Sequence, residues 1–138
     1  MIRYDSERPD PAAYFELFAT TGWNDWYHAN VEDLSRALDR SQYTVSAYSA
    51  DRLVGFGRAV ADGLHAMIYD LIVHPEHKGT GIGSEILGQL VERCREDGIC
   101  DVQLFSARGT AGFYERNGFT RRPPDSPGME RRFPGGTE

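Results

Sequence analysis

The sequence predicts an α/β protein of the α+β kind, with helices packed on a β-sheet. Three observations carry that prediction. Apolar residues recur at helical spacing over the first forty positions, alternate or run together between 43 and 73, and form a strongly amphipathic stripe over 82–97. With 138 residues, 40% hydrophobic and 12% aromatic, the chain has the size of one domain with one core. A single unit over 1–138 is expected, with about 134–138 ("PGGTE") as a frayed end.

The elements follow in order. Residues 2–4 read as a short strand. Residues 11–20 read as a helix, with Pro11 near its start and Tyr14, Phe15, Leu17 and Phe18 as its apolar contacts. "TGWNDWYHAN" then reads as a loop crowded with aromatics, and 32–39 as a short helix, apolar at Val31, Leu34 and Leu38. From there the period changes. "YTVSAYS" alternates, then "ADRLVGFGRAVA" carries Leu53, Val54, Phe56 and Val60 after a turn signal at Asp51, which predicts a hairpin. "HAMIYDLIV" is almost continuously apolar, as in a strand buried on both faces, and Pro75 ends it.

Over 82–97, Ile82, Ile86, Leu87, Leu90, Val91 and Cys94 share one helical stripe, while Glu85, Gln89, Glu92, Arg93 and Glu96 take the opposite side. Gly98 is placed to cap that helix. "CDVQLFS" reads as a short strand, 110–116 as a short helix, "GFTRR" as the start of another strand, and 129–133 as a last one.

Composition excludes several functions. The first ten residues hold no apolar signal core, and no window approaches the roughly 18 apolar residues of a membrane span, so a cytoplasmic protein off the membrane is expected. A formal net charge of −6 argues against nucleic-acid binding, which usually requires a basic surface. Cys94 and Cys100 match no zinc spacing and read as reduced packing residues. His74 and His77 have no third ligand nearby, and His28 and His65 suit lid or surface roles, so no metal is expected.

The stretch "HKGTGIGSEIL" carries glycines at 79, 81 and 83 between the buried strand and the amphipathic helix. A helix N-terminus presents backbone N–H groups without intrahelical partners and a positive macrodipole end. Removing Cβ there permits positive φ and lets phosphate oxygens approach the amides. Lys78 and the Ser84 hydroxyl can add a charge and a donor; the alternative is a loop that only turns a strand into a helix. The Walker A pattern fails, because Gly83-Ser84-Glu85 stands where Gly-Lys-Ser/Thr is needed. The GxGxxG fingerprint fails too, with Ser84 or Ile86 in place of its third glycine.

"KGTGIG" and "GTAGFYERNGF", about thirty residues apart, resemble two segments of the GNAT superfamily of N-acetyltransferases, and the element order agrees along nearly the whole chain. Lys78 stands where that family usually has Arg or Gln, and Gly109 and Gly112 replace larger residues near the start of the later helix. The resemblance implies a central mixed, mostly antiparallel sheet with two splayed parallel strands and helices on both faces. It implies acetyl-CoA as cosubstrate, its pantetheine arm against the backbone of Leu71, Ile72 and Val73. Its pyrophosphate would lie over Lys78, Gly79, Thr80, Gly81, Ile82, Gly83 and Ser84, with Phe113 and Tyr114 alongside. An amide-bearing arm can behave as an added strand on an open sheet edge.

The same resemblance implies transfer of an acetyl group to the primary amine of a small molecule, aromatic or cationic, by direct attack. It admits a homodimer through edge strands. An alkyl ammonium with a pKa of about 10.4 pays a handicap of roughly 4.6 kcal/mol at pH 7, so a proton must leave before attack. A thiol of pKa about 8.5 departs more readily, with or without an acid. The family places a tyrosine like Tyr114 beside the sulfur as that acid; the alternative is a packing tyrosine. Asp70 interrupts the apolar run and reads either as a base and anchor for the amine or as a structural carboxylate bonded to a neighbour such as Arg58.

The aromatic loop corresponds to the family's acceptor lid, which makes Trp23, Asn24, Trp26 and Tyr27, with Tyr69 and Asp70, candidate substrate contacts. Asp70 preceded by an aromatic also resembles the plastid and cyanobacterial type of serotonin N-acetyltransferase, although that branch tends to carry an acid where Ala107 stands here. The other class open to the sequence is a catalytically silent acyl-CoA sensor, which would share the glycine cradle.

Overall fold

Short caps and a tight turn set the framework of the computed structural model, which describes residues 1–134. Asp10 accepts a hydrogen bond from the Ala13 amide at 3.1 Å and, with Pro11 in the first turn, starts helix α1 (Pro11–Ala19). A one-turn helix α2 (Asn24–Tyr27) lies within the aromatic loop. Asn30 and Asp33 form a reciprocal capping box, so α3 runs Val31–Asp39, one residue longer than the apolar spacing indicates. Strand β1 (Ile2–Asp5) precedes these helices. The predicted hairpin is β2 (Tyr43–Ser49) and β3 (Arg52–Ala61), followed by β4 (His65–Val73), α4 (Ile82–Glu96), β5 (Asp101–Leu104) and α5 (Ala111–Arg116).

The sheet has the order β1-β2-β3-β4-β5, antiparallel through β4, with β5 parallel to β4. Helix α4 covers one face, burying Ile82, Ile86, Leu87, Leu90 and Cys94 against Val45, Ala47, Ala59 and Ile68. Val91, the remaining member of the predicted stripe, is partly buried at its margin. On the other face α1 and α3 pack Tyr14, Leu17, Phe18, Leu34 and Leu38 against Leu53, Phe56 and Ile72. No helix among the described residues is long and apolar enough to cross a membrane.

Close approach of α4 to the sheet depends on two glycines of β3. A Cβ on Gly55 would lie 2.8 Å from Ile86's neighbour Ile82 at Cγ2, and one on Gly57 would lie 2.8 Å from Ile86 Cγ2 and 3.0 Å from Leu90 Cδ1. Neither distance is tolerated in a packed core.

Strand β4 carries a bulge. Phe56 pairs with Ile72 and Arg58 with Tyr69, so Gly57 faces both Asp70 and Leu71, and Asp70 adopts φ of 57°. The extra residue reverses the strand's alternation. Ala66 and Ile68 belong to the α4 core, Ile72 to the α1 core, and Leu71 and Val73 flank the α4 side.

Two expected strands are not formed. Residues 118–134 have no regular secondary structure. Pro123, Pro124 and Pro127 remove ladder donors, Ser126 N–H closes a turn on the Pro123 carbonyl at 2.8 Å, and Arg122 Nε donates to the Ser126 carbonyl at 2.7 Å. β5 is also shorter than "CDVQLFS" indicates and leaves Phe105 outside it, 60% exposed. The expected frayed end, apart from Pro134, lies outside the described residues.

Replacing Gly57 by Ala is expected to lower stability by about 1–3 kcal/mol through overpacking against α4, with an unchanged denaturant slope in a urea titration.

Candidate active site

The β4–α4 connection arranges the predicted cradle. His74 N–H donates to the Val54 carbonyl at 2.7 Å, fixing the end of β4, and a single 3₁₀ turn at Pro75–His77 follows. The Thr80 hydroxyl donates to the His77 carbonyl at 2.7 Å and closes the loop. Gly79 and Gly81 have φ of 79° and 87°, the left-handed region that side chains avoid. The first helical bond of α4 runs from Glu85 N–H to the Gly81 carbonyl at 3.1 Å. Among the described residues, no acceptor takes the amides of Ile82, Gly83 and Ser84. Lys78 is exposed and without an ion-pair partner there, so a cation stands beside three free donors.

The sheet opens next to this cradle. β4 and β5 pair from His65–Asp101 to Ile68–Leu104 and no further, so Ile72 and Val73 are paired only on the β3 side and Leu71, in the bulge, has no β5 partner. Gly83 joins the loop to α5, since a Cβ there would meet Phe113 Cζ at 3.3 Å and Val73 Cγ2 at 3.5 Å. That contact seats α5 against the end of β4. The Tyr114 ring is held edge-on by Phe113 (5.1 Å between centroids) and Phe119 (6.0 Å), while its hydroxyl bonds to no described residue. Burial raises its pKa above the ordinary phenol value, which keeps it protonated.

Asp70 is tied down. Its Oδ2 accepts from Arg58 Nε at 2.9 Å, the ion pair anticipated from the adjacent strand, and also from the hydroxyl of Tyr14. Both side chains of the ion pair are about 15% exposed (15% and 16%), so the carboxylate is compensated without any added cation. Arg58 also lies over the Tyr69 ring, 5.2 Å from its centroid, and Tyr69 is 42% exposed. Tyr14 reads in the sequence as a packing residue of α1. Only the requirement that a buried carboxylate find donors could have pointed to it.

The aromatic loop divides by role. Trp23 packs edge-on to Phe18 at 5.9 Å and is partly buried with the α1 core. Asn24 clamps the loop, its amide donating to the Ala29 carbonyl at 3.1 Å and its oxygen accepting from the Ala29 amide at 2.7 Å, so its side chain is already engaged. Trp26 and Tyr27 are exposed and meet edge-on at 5.1 Å. The C-terminal segment reaches them. Arg132 lies 4.6 Å from the centre of the Trp26 ring, and upstream Gly128 presses on Phe105 so closely that a Cβ would fall 2.3 Å from its ring. This strap from the end of β5 to α2 has no counterpart in the sequence reading, which assigns strands there. Among the described residues no group of three or more His, Cys, Asp or Glu side chains is placed to hold a metal ion.

A sheet parted beside a glycine-rich helix start is the architecture of proteins that admit a strand-like, phosphate-bearing carrier. A sequence profile of the acetyltransferase (GNAT) family matches residues 4–119. The chain is 33% identical over 109 residues to an uncharacterized N-acetyltransferase, ycf52, of Porphyra purpurea, covering 75% of this chain and 63% of that one. It is 32% identical over 133 residues to the chloroplastic serotonin N-acetyltransferase 2 of Oryza sativa subsp. japonica, covering 93% of this chain and 65% of that one. Each match thus spans under two thirds of the relative. A crystal structure of a probable acetyltransferase, SA2161, from methicillin-resistant Staphylococcus aureus superposes with a TM-score of 0.84 at 26% identity, covering 96% of this chain and all of that one. The chain belongs to the GNAT acetyltransferase family.

Asn24→Ala is expected to destabilise the chain by about 1–2 kcal/mol and to speed hydrogen exchange at the Ala29 amide, with α4 amides unaffected relative to global stability.

Proposed function

We propose that this chain transfers the acetyl group of acetyl-CoA to the primary amine of a small molecule by direct attack. The observation that carries the reading is the row of unpartnered amides at 82–84 beside the open flank of β4. The amides of Gly79 to Ser84, with the Lys78 ammonium and the Ser84 hydroxyl, would hold the pyrophosphate, and the backbone of Leu71, Ile72 and Val73 would pair with the pantetheine amides. Phe113 packs against the same loop at Gly83. The thioester supplies an activated acyl group and a thiolate leaving group.

The chain's own residues handle protons and placement. Tyr114, unpaired and kept protonated by burial, donates to the departing sulfur. Asp70, at the bulge, accepts the amine's proton through water on the oxygen that Arg58 and Tyr14 leave free. Tyr69, Trp26, Tyr27 and, as a wall, Trp23 bound the acceptor end. The exposed rings and the rice relative's named activity favour an aralkylamine as the first acceptor to try.

Incubating the protein with acetyl-CoA and a panel of primary amines, while following free thiol, tests the reading. Amine-dependent thiol release is expected; tight acetyl-CoA binding with no release for any amine would replace it with the sensor function. Tyr114→Phe is expected to lower kcat by about ten- to a thousand-fold with acetyl-CoA affinity unchanged by calorimetry. Because the Tyr114 phenol is raised, the alkaline limb it controls should lie above pH of about 10, whereas kcat/KM for the amine climbs with pH until the free amine dominates.

A further inference from the structure

The transfer reaction as described uses one oxygen of Asp70 and leaves its surroundings without a role. Oδ2 takes both hydrogen bonds, from Arg58 Nε at 2.9 Å and from the Tyr14 hydroxyl, and no described residue donates to Oδ1. Tyr14 is fully buried, its ring 4.6 Å from Phe56 and 6.2 Å from Phe18. Packing at that site needs only the ring. A buried phenolic hydroxyl costs stability unless bonded, and here its partner is the one carboxylate that breaks the apolar run of β4.

The rest of the cluster reinforces the arrangement. The groups bonded to Asp70 are Tyr14 from α1 and Arg58 from β3, and Arg58 in turn reaches Ser41 through NH1 at 3.4 Å and lies over the Tyr69 ring. The negative charge of Asp70 helps keep the Arg58 guanidinium protonated despite its burial. Burial, then the negative charge of Asp70, holds the Tyr14 phenol protonated well above its ordinary range, so it remains a donor. The left-handed backbone at Asp70, φ 57°, fixes the origin of the side chain, and two donors on one oxygen fix its plane.

We propose that Tyr14 and Arg58 are positioning residues that occupy Oδ2, lock the Asp70 carboxylate, and present Oδ1 as the single acceptor that orients the attacking amine. This rests on the acetyl-transfer reading above. Tyr14 acts through Asp70, so its hydroxyl should matter only while the carboxylate is there.

A double-mutant cycle with Tyr14→Phe and Asp70→Asn tests the inference, using the amine that gives the fastest thiol release. Tyr14→Phe is expected to lower kcat about ten-fold without changing acetyl-CoA affinity by calorimetry. In the Asp70→Asn background the same change should alter kcat by less than about two-fold. An equal loss in both backgrounds, or no loss in the native background, overturns the inference while leaving acetyl transfer intact. A native protein inert toward every amine removes both. If circular dichroism shows Tyr14→Phe unfolded, the same cycle with Arg58→Lys, which keeps the charge and loses the Nε donor, carries the test by the same criteria.

Discussion

The parting of β4 from β5 beyond the Ile68–Leu104 pair is the constraint around which the rest of the molecule is organised. Paired throughout, the two strands would satisfy one another and leave no unclaimed backbone in the middle of the protein. Parted, they expose one flank of β4, and every nearby element converges on that flank. The 3₁₀ turn at Pro75–His77 carries the chain from it into the glycine loop, α4 begins with free amides beside it, and Phe113 wedges α5 against its end. An open flank inside a fold is ordinarily a liability, because unpaired peptide groups are costly when buried. Under the acetyl-transfer reading, a ligand of matching hydrogen-bonding character completes the ladder.

Local conformation and global packing agree at this place. Gly55 and Gly57 let α4 sit close on β3, which sets the height at which its first turn meets the loop. The positive φ values at Gly79 and Gly81 then turn the amides outward without side chains in the way. On the opposite face, the buried carboxylate of Asp70 is reconciled with an apolar core by two donors from different elements, one on α1 and one on β3. Sites of this kind keep their geometry because each member is held by packing as well as by polar bonds.

Much of this was legible in the chain itself. The stripe of Ile82, Ile86, Leu87, Leu90 and Cys94 has the period of a one-sided helix, and the structure buries those five residues. The hairpin and the glycine loop were equally plain, because turn chemistry and missing side chains leave local marks. The segment after α5 was misread: "GFTRR" and 129–133 contain strand-forming residues, but three prolines between them deny a ladder its donors, and the chain instead lies as a strap to Trp26. Asn24 looked like a substrate contact because it sits among aromatics, whereas its side chain closes its own loop on Ala29. Tyr14 was hidden for another reason. A tyrosine in an apolar stripe carries no sign of what its hydroxyl meets when the partner is 56 residues away.

The bulge at Asp70 makes β4 sensitive to length in a way that differs from its sensitivity to composition. A pleated strand is read two residues at a time, and the additional residue shifts that frame midway. Losing the additional residue itself would give a smoother ladder with β3 and leave Leu71 and Val73 on the α4 side and Ile72 in the α1 layer, whereas losing Met67 with the bulge kept would turn Ala66 away from the α4 layer. Drift along this strand is therefore free to exchange one apolar side chain for another, and a change of length at the bulge costs the carboxylate that Arg58 and Tyr14 hold, not the packing.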